Sequence, residues 1–266
     1  MSGLIDHLAG TRWRQVDVVE STGSTNADLA VAASIEDIDG RVLVARHQTA
    51  GRGRHDRTWT TGPSGALTFS VGVRVGAATS AMGWLSLLAG VAVADALART
   101  TMFDAVPGVK WPNDVLIGER KVAGVLSEYS TRVLAGGSGR DGQAVIGIGV
   151  NTSMTPDQLP VPEATSVFVE TGRAIDDDEL AVDILRELDV ELAMWPSRLD
   201  ELAQEYRSKC VTLGQRVRLV LPGDNELIGT AVDVDAQGRL LVTADGGSTT
   251  AVAAGDVTHL RAHPQS

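Results

Sequence analysis

Cysteine is almost missing from this chain of 266 residues, because Cys210 is the only one. A single cysteine cannot form a disulfide bond within the chain, and this predicts a cytoplasmic protein. Cys210 follows a helical pattern without a neighbouring cysteine or histidine, which predicts a packed thiol. The five histidines also lack metal-ligand spacing. The sequence therefore predicts neither a disulfide nor a zinc site.

Long apolar runs and excess positive charge are also lacking. The longest apolar stretch, residues 81–98, contains Ser86 and Asp95 and falls short of the roughly 20 apolar residues that span a bilayer. Charged residues interrupt the first residues, so no secretory signal is expected. The chain has 23 basic and 34 acidic residues, a formal net charge of −11. This balance argues against nucleic-acid binding through a basic surface, so we expect no membrane and no DNA partner.

Hydrophobic periodicity predicts an α/β (α+β) protein with two domains. Residues 1–211 mix helical and strand patterns, whereas residues 212–266 contain short strands with glycine turns, which is typical of a small β-barrel. The predicted helices cover residues 27–33, 81–98 and 176–206, the last divided at Pro196. The predicted strands of the first domain cover residues 41–47, 67–75, 115–117, 121–128 and 144–150.

A glycine-rich loop at residues 49–65 carries Arg52, Arg54 and Arg57 on an otherwise acidic protein. Glycine lets the backbone approach a ligand closely, and arginine binds carboxylate or phosphate oxygens with two parallel hydrogen bonds. The loop is either a site for a small anionic ligand or a solvated turn paired with nearby acids. It is not a Walker loop, because it lacks the Gly-Lys-Ser/Thr ending.

Two other polar positions have a structural and a functional interpretation. Ser24 and Thr25 precede a helical pattern and are suited to capping it, a role compatible with ligand contact. Lys121 lies in a predicted β-hairpin, where it is either solvated or part of a site.

The order of several short motifs resembles that of biotin–protein ligases. GRGR with Trp59, KWPND, KVAG and GIGVN follow one another at positions 51–54, 110–114, 121–124 and 147–151, downstream of Ser24-Thr25-Asn26. The likeness implies a mixed sheet flanked by helices, as in class II synthetases, followed by an SH3-like β-barrel. His55 and Asp56 depart from the basic or small residues often found there and receive no role.

The resemblance implies an ATP-dependent ligase. Such enzymes form biotinoyl-5′-AMP from biotin and ATP with Mg²⁺, releasing pyrophosphate. They then transfer biotin to a lysine of the biotin carboxyl carrier domain of acyl-CoA carboxylases.

The resemblance also implies a role for each matching residue, while Trp111 is expected to pack in the core. The implied catalytic residues are Lys121, Arg52 and Arg54. The implied biotin-binding residues are Ser24, Thr25, Asn26, Gln48, Arg52, Gly53, Arg54, Lys121 and Gly124. The implied ATP- and adenylate-binding residues are Arg54, Arg57, Trp59, Asn113, Asp114, Lys121 and Asn151, with Asp114 as the Mg²⁺ ligand.

Three alternatives stay open. A lipoate ligase or octanoyltransferase is similar in fold and lysine chemistry, but the arginine loop with Trp59 and the C-terminal domain favour biotin. A biotin-sensing repressor would need an N-terminal helix-turn-helix, for which the residues before Ser24 leave no room. A carrier-binding module without catalysis would not need both Lys121 and the arginine loop. Residues 51–64 are further predicted to be mobile without ligand and to become ordered when an anion binds.

Overall fold

The computed structural model describes residues 3–54, 57–59, 65–76, 78–100, 103–133, 140–221, 225–253 and 255–260. Within these ranges the chain forms six α-helices and two β-sheets. The helices are α1 Gly3–His7, α2 Thr25–Ile35, α3 Gly83–Thr100, α4 Val167–Thr171, α5 Asp177–Met194 and α6 Leu199–Lys209.

The larger sheet contains seven strands in the order β1-β2-β3-β7-β6-β5-β4. Its strands are β1 Gln15–Thr22, β2 Arg41–Gln48, β3 Ala66–Arg74, β4 Pro107–Lys110, β5 Asp114–Ile117, β6 Arg120–Val133 and β7 Arg140–Asn151. β1 pairs with β2 in parallel and the remaining neighbours are antiparallel, so the sheet is mixed, as predicted. The arginine loop connects β2 and β3, and the KVAG motif begins at the start of β6.

Helices flank both faces of this sheet, so its central strands are buried on both sides. Along β7, Ile146 and Ile148 join the main hydrophobic core with α3 and α5, whereas Val145 packs in a second cluster with Leu29 and Ala33 of α2. Successive side chains of a strand point to opposite faces. Gly147, Gly149 and Asn151 therefore share the face of Val145, on the α2 side of the sheet.

Capping determines where two of the helices begin. The Ser24 hydroxyl accepts a hydrogen bond from the Ala27 amide at the start of α2, and Asp176 caps α5 in the same way. Ser24 and Thr25 are thus fixed at the end of α2 that meets the sheet.

The C-terminal region forms a five-stranded antiparallel sheet in the order β11-β10-β9-β8-β12. The strands are β8 Arg216–Leu221, β9 Asn225–Val234, β10 Leu240–Ala244, β11 Thr249–Val252 and β12 Asp256–His259. Among the described residues β11 and β12 remain at opposite edges, so the strand pairing shows a small β-sheet and no closed barrel.

Buried tryptophans attach the C-terminal sheet to the first one. The Trp111 indole donates to the Gly238 carbonyl (3.1 Å) and the Trp84 indole to the Ala236 carbonyl (3.2 Å). The Trp111 amide also donates to the Thr212 hydroxyl at 3.1 Å. Side chains of both sheets belong to one hydrophobic cluster. Trp111 and Cys210 are buried, as predicted. The division at residue 211 stays a prediction.

The structure also contains elements that the sequence pattern did not predict, namely α1, β1, β4, α4 and β12. α3 occupies the apolar stretch and is buried along most of its length. In the part of the chain that the structure describes, no helix combines the length and apolarity needed to cross a bilayer.

Candidate functional site

A cavity of about 560 Å³ opens between the large sheet and the C-terminal sheet. Its walls are the N-terminus of α2, the arginine loop, the β5–β6 hairpin with β7, and residues 255–258. It brings together all the residues to which the resemblance assigns a role. They are Ser24, Thr25, Asn26, Gln48, Arg52, Gly53, Arg54, Arg57, Trp59, Asn113, Asp114, Lys121, Gly124 and Asn151.

Glycines on two paired strands form the floor of the pocket. Gly124 of β6 lies opposite Gly149 of β7. A Cβ at Gly149 would overlap the Trp59 indole, and a Cβ at Gly124 would lie 3.1 Å from it. The missing side chains therefore let the indole pack directly on the sheet. Its Nε1 is buried without a hydrogen-bond partner among the described residues.

One end of the pocket is a neutral hydrogen-bonded network. Gln48 Oε1 accepts from the Thr25 amide at 2.8 Å and lies 3.1 Å from the Thr25 hydroxyl. That hydroxyl lies 2.7 Å from the Ser70 hydroxyl, which donates to Asn26 Oδ1 at 2.6 Å. All four residues are buried. This end is thus suited to a neutral polar ligand group that needs fixed donors and acceptors.

The arginine loop begins as a short hydrogen-bonded stem. The Gly53 amide donates to the Arg57 carbonyl at 2.7 Å, and the Trp59 amide donates to the Gly51 carbonyl at 2.9 Å. These bonds fix the direction in which the arginine side chains leave the backbone.

The rest of this loop lies outside the described residues, namely positions 55, 56 and 60–64. They include His55 and Asp56 and much of the segment predicted to be mobile without ligand. The disorder-to-order transition stays a prediction.

Arg54 lies deepest among the three arginines. Burial lowers its pKa and the neighbouring Arg57 lowers it further, while Asp256 and Asp114 oppose the shift. Its guanidinium lies 3.4 Å from Asn113 Oδ1. A half-buried guanidinium that forms no ion pair with a carboxylate of the described residues is electrostatically suited to an incoming anion.

The other two arginines are ion-paired with acids of two different sheets. Arg52 lies 2.9 Å from Glu128 of β6, whereas Arg57 pairs with Asp256 of β12. The second pair places a carboxylate from the C-terminal sheet at the pocket rim.

Two lysines lie near the same end of the pocket. Lys121 Nζ is 2.5 Å from Asp114 Oδ1 and 5.6 Å from the centre of the Trp59 ring. Burial lowers the pKa of Lys110; nearby Lys121 lowers it too, whereas Asp114 and Asp256 oppose the shift. Positive charge is thus concentrated here and only partly neutralised.

Two asparagines hold the backbone around the pocket. Asn113 Nδ2 donates to the Val125 carbonyl at 2.7 Å, and Asn151 Nδ2 donates to the Thr165 carbonyl at 2.9 Å. Asn113 therefore positions β6 and Arg54. Asn151 ties the end of β7 to the segment that precedes α4.

Some pocket residues have no predicted role from the sequence. Lys110 belongs to the KWPND motif and Asp256 to a Gly-Asp-Val sequence, and those motifs were the available signals. Ser70 and Glu128 do not line the cavity but contact residues that do, and both lie outside the quoted motifs.

The acidic residues of the pocket fit a metal only in combination with a ligand. No group of three or more His, Cys, Asp or Glu side chains is placed to hold a metal ion in the described ranges. Mg²⁺ commonly binds one or two carboxylates together with substrate phosphates. Asp114, at the pocket wall, fits that mode.

Two family models match the chain. The biotin/lipoate A/B protein ligase family model matches residues 18–151, and the biotin protein ligase C-terminal domain model matches residues 212–260. The first covers all the motifs of the pocket except the Gly-Asp-Val sequence, which lies in the second.

Curated proteins and solved structures give the same likeness. The chain is 46% identical over 259 residues to biotin--[acetyl-CoA-carboxylase] ligase of Mycobacterium tuberculosis, covering 95% of this chain and 92% of that protein. It is 34% identical to the bifunctional ligase/repressor BirA of Escherichia coli, covering 78% of this chain and 63% of BirA. The structure of biotin protein ligase from Aquifex aeolicus in complex with biotin and ATP superposes with a TM-score of 0.76 at 27% identity, covering 94% of this chain and 100% of that one.

The motif order, the fold and the matched ranges agree over most of the chain. This protein belongs to the biotin/lipoate A/B protein ligase family.

Proposed function

We propose that this protein is an ATP-dependent biotin–protein ligase. In the first step the biotin carboxylate attacks the α-phosphorus of ATP, an oxygen–phosphorus bond forms, and pyrophosphate leaves. In the second step a lysine amine of a biotin carboxyl carrier domain attacks the activated carbonyl carbon. An amide bond forms, the amine loses a proton, and AMP leaves.

The observation that carries this proposal is that one pocket contains both a neutral hydrogen-bonded network and a cluster of cations. The Thr25–Gln48–Ser70–Asn26 network offers fixed neutral donors and acceptors, as the ureido ring of biotin requires. The other end holds Arg54, Lys110 and Lys121. Two anions that must meet repel each other, so preorganised positive charge is the main catalytic requirement.

We assign to Lys121 the role of contacting both anions at the place where they react. Its ammonium pairs with Asp114 at 2.5 Å. The biotin carboxylate and the α-phosphate would replace that partner. Arg54, half-buried beside Asn113, would bind the same oxygens with its planar fork.

The nucleotide would occupy the side of the pocket nearer to Trp59 and Asn151, with the indole as a stacking surface for adenine. Arg57 and Lys110 would contact phosphate oxygens. Asp114 would help to hold Mg²⁺, which when bound neutralises charge on the pyrophosphate.

The relatives support biotin over lipoate as the substrate. The family description names both, but the protein from Mycobacterium tuberculosis is named a biotin--[acetyl-CoA-carboxylase] ligase. The neutral network also favours a ureido group, since the dithiolane of lipoate has no matching donors. By the same likeness we propose a carrier domain of an acyl-CoA carboxylase as the partner.

The test is pyrophosphate release by the purified protein with Mg²⁺ and ATP, in the presence of biotin or of lipoate. We expect release with biotin alone, followed by labelling of a carrier lysine when the carrier domain is added. Release with lipoate and not biotin would overturn the proposal. The expectations of no DNA binding and of cytoplasmic location stay predictions, tested by gel shift and by fractionation.

A further inference from the structure

We propose that Glu128 is a positioning residue for biotin, a role that rests on the proposed function. Glu128 lies on β6 and contacts both the neutral network and the arginine loop. One carboxylate oxygen accepts from Asn26 Nδ2 at 2.9 Å, and the other lies 2.9 Å from the Arg52 guanidinium. Its side chain is only 26% exposed.

The first contact fixes the direction of the whole network. An ionised carboxylate can only accept hydrogen bonds, so Asn26 must turn its Nδ2 toward Glu128. The second Nδ2 proton goes to the Leu126 carbonyl at 3.1 Å. Asn26 Oδ1 consequently faces Ser70, whose hydroxyl donates to it.

This orientation of Asn26 also determines which hydroxyl donates the hydrogen bond between Ser70 and Thr25. Because the Ser70 proton is engaged with Asn26, the Thr25 hydroxyl must be the donor toward Ser70 or Gln48. A Cβ at Gly147 would overlap the Asn26 carboxamide, so this amide sits against bare backbone and has no room to shift toward β7. Two acceptor-only groups, the Glu128 carboxylate and the Leu126 carbonyl, thus orient the Asn26 amide and with it the donors and acceptors that the pocket presents to a ureido ring.

The second contact connects this network to the arginine loop. Arg52 follows Gly51, whose carbonyl accepts from Trp59 in the loop stem. Pairing Arg52 with β6 fixes the start of the loop beside the neutral end of the pocket. Since the Arg52 side chain is half exposed, the pair contributes little to folding stability and acts by orientation.

A neutral glutamine at position 128 is able to satisfy only one of these two contacts. With its oxygen toward Asn26 it turns its amide toward the Arg52 guanidinium, and two donors then face each other. With its amide toward Asn26 it places two donors face to face there, because the Leu126 carbonyl still holds Asn26 Nδ2 in its orientation. Either orientation weakens biotin binding and leaves the nucleotide end untouched.

The experiment measures the biotin KM, the ATP KM and the Tm by pyrophosphate release and thermal denaturation. For Glu128→Gln we expect a biotin KM about tenfold higher, with the ATP KM and the Tm near native values. The matched control is Glu187→Gln, because Glu187 is 25% exposed and pairs with Arg99 outside the pocket. That control should leave both KM values unchanged.

A double-mutant cycle with Arg52→Gln tests the connection to the loop. The biotin KM of the double variant should rise by less than the product of the two single effects. An unchanged biotin KM in Glu128→Gln would overturn the assignment, as would a parallel rise of both KM values with a lower Tm, or effects that multiply. A native protein that releases no pyrophosphate with biotin would overturn the proposed function itself.

Discussion

The two ends of the pocket satisfy their polar groups in different ways. At the neutral end, Thr25, Ser70 and Asn26 are buried and bonded to one another, so their orientations are set before any ligand arrives. At the charged end, Lys121 and Arg57 are paired with carboxylates that a ligand anion would replace. The first end is preorganised, and the second is held by exchangeable partners.

This difference has an energetic consequence. A buried neutral network is costly to rearrange, because each broken hydrogen bond leaves an unpaired group. Exchangeable ion pairs instead hold the cations in place until two acids arrive. We therefore expect substitutions at the charged end to change chemistry and release, and substitutions at the neutral end to change biotin affinity.

The largest effect is expected for Lys121→Ala. Losing an ammonium that contacts the reacting oxygens should lower the adenylation kcat by about 10²–10³-fold, with biotin still bound by the neutral end. Single-turnover pyrophosphate release and a biotin thermal shift measure the two quantities. Arg120→Ala is the control, because Arg120 precedes Lys121 on β6 and itself pairs with Glu170 outside the pocket. A variant that keeps native kcat would remove Lys121 from the chemistry.

Arg54→Gly should affect retention more than chemistry. Its half-buried guanidinium is the cation best placed to clamp the adenylate, so release of biotinoyl-5′-AMP should be roughly 30-fold faster. Arg54→Lys keeps the charge without the planar guanidinium, and its release rate should fall between those of the native protein and Arg54→Gly. The release rate is followed by trapping with a carrier domain in excess. Equal release rates in all three proteins would show that Arg54 is not a clamp.

The neutral end is tested by Thr25→Val and Thr25→Ser. Valine removes the hydroxyl between Gln48 and Ser70, and we expect the biotin KM to rise about fivefold with an unchanged ATP KM. Serine keeps the hydroxyl and should restore affinity. If the valine variant altered both KM values alike, the assignment of biotin binding to the neutral end and of ATP binding to the charged end would be wrong.

The sequence predicted the central strands and the buried helix because their periodicity is strong. It could not predict β1, an edge strand half exposed on both faces, whose residues therefore do not alternate. The motifs identified the pocket residues, but not the groups that orient them. Glu128 and Ser70 lie outside the quoted motifs, and Asp256 reaches Arg57 from 199 positions away. Such contacts depend on strand order, which local pattern does not contain.

The smallest effect is expected from pH, and it concerns Lys110 at the charged end. Burial depresses the pKa of this lysine below the usual lysine value, so it loses its proton at a lower pH than an exposed lysine does. As pH rises toward that depressed pKa, ATP should bind more weakly, by roughly threefold. Biotin affinity should not follow, since its network near Thr25 carries no lysine. Lys110→Arg keeps a charge that does not titrate in this range and should abolish the rise in ATP KM. If the ATP KM still rose at alkaline pH in Lys110→Arg, or if the biotin KM rose equally, the pH dependence would belong to another group.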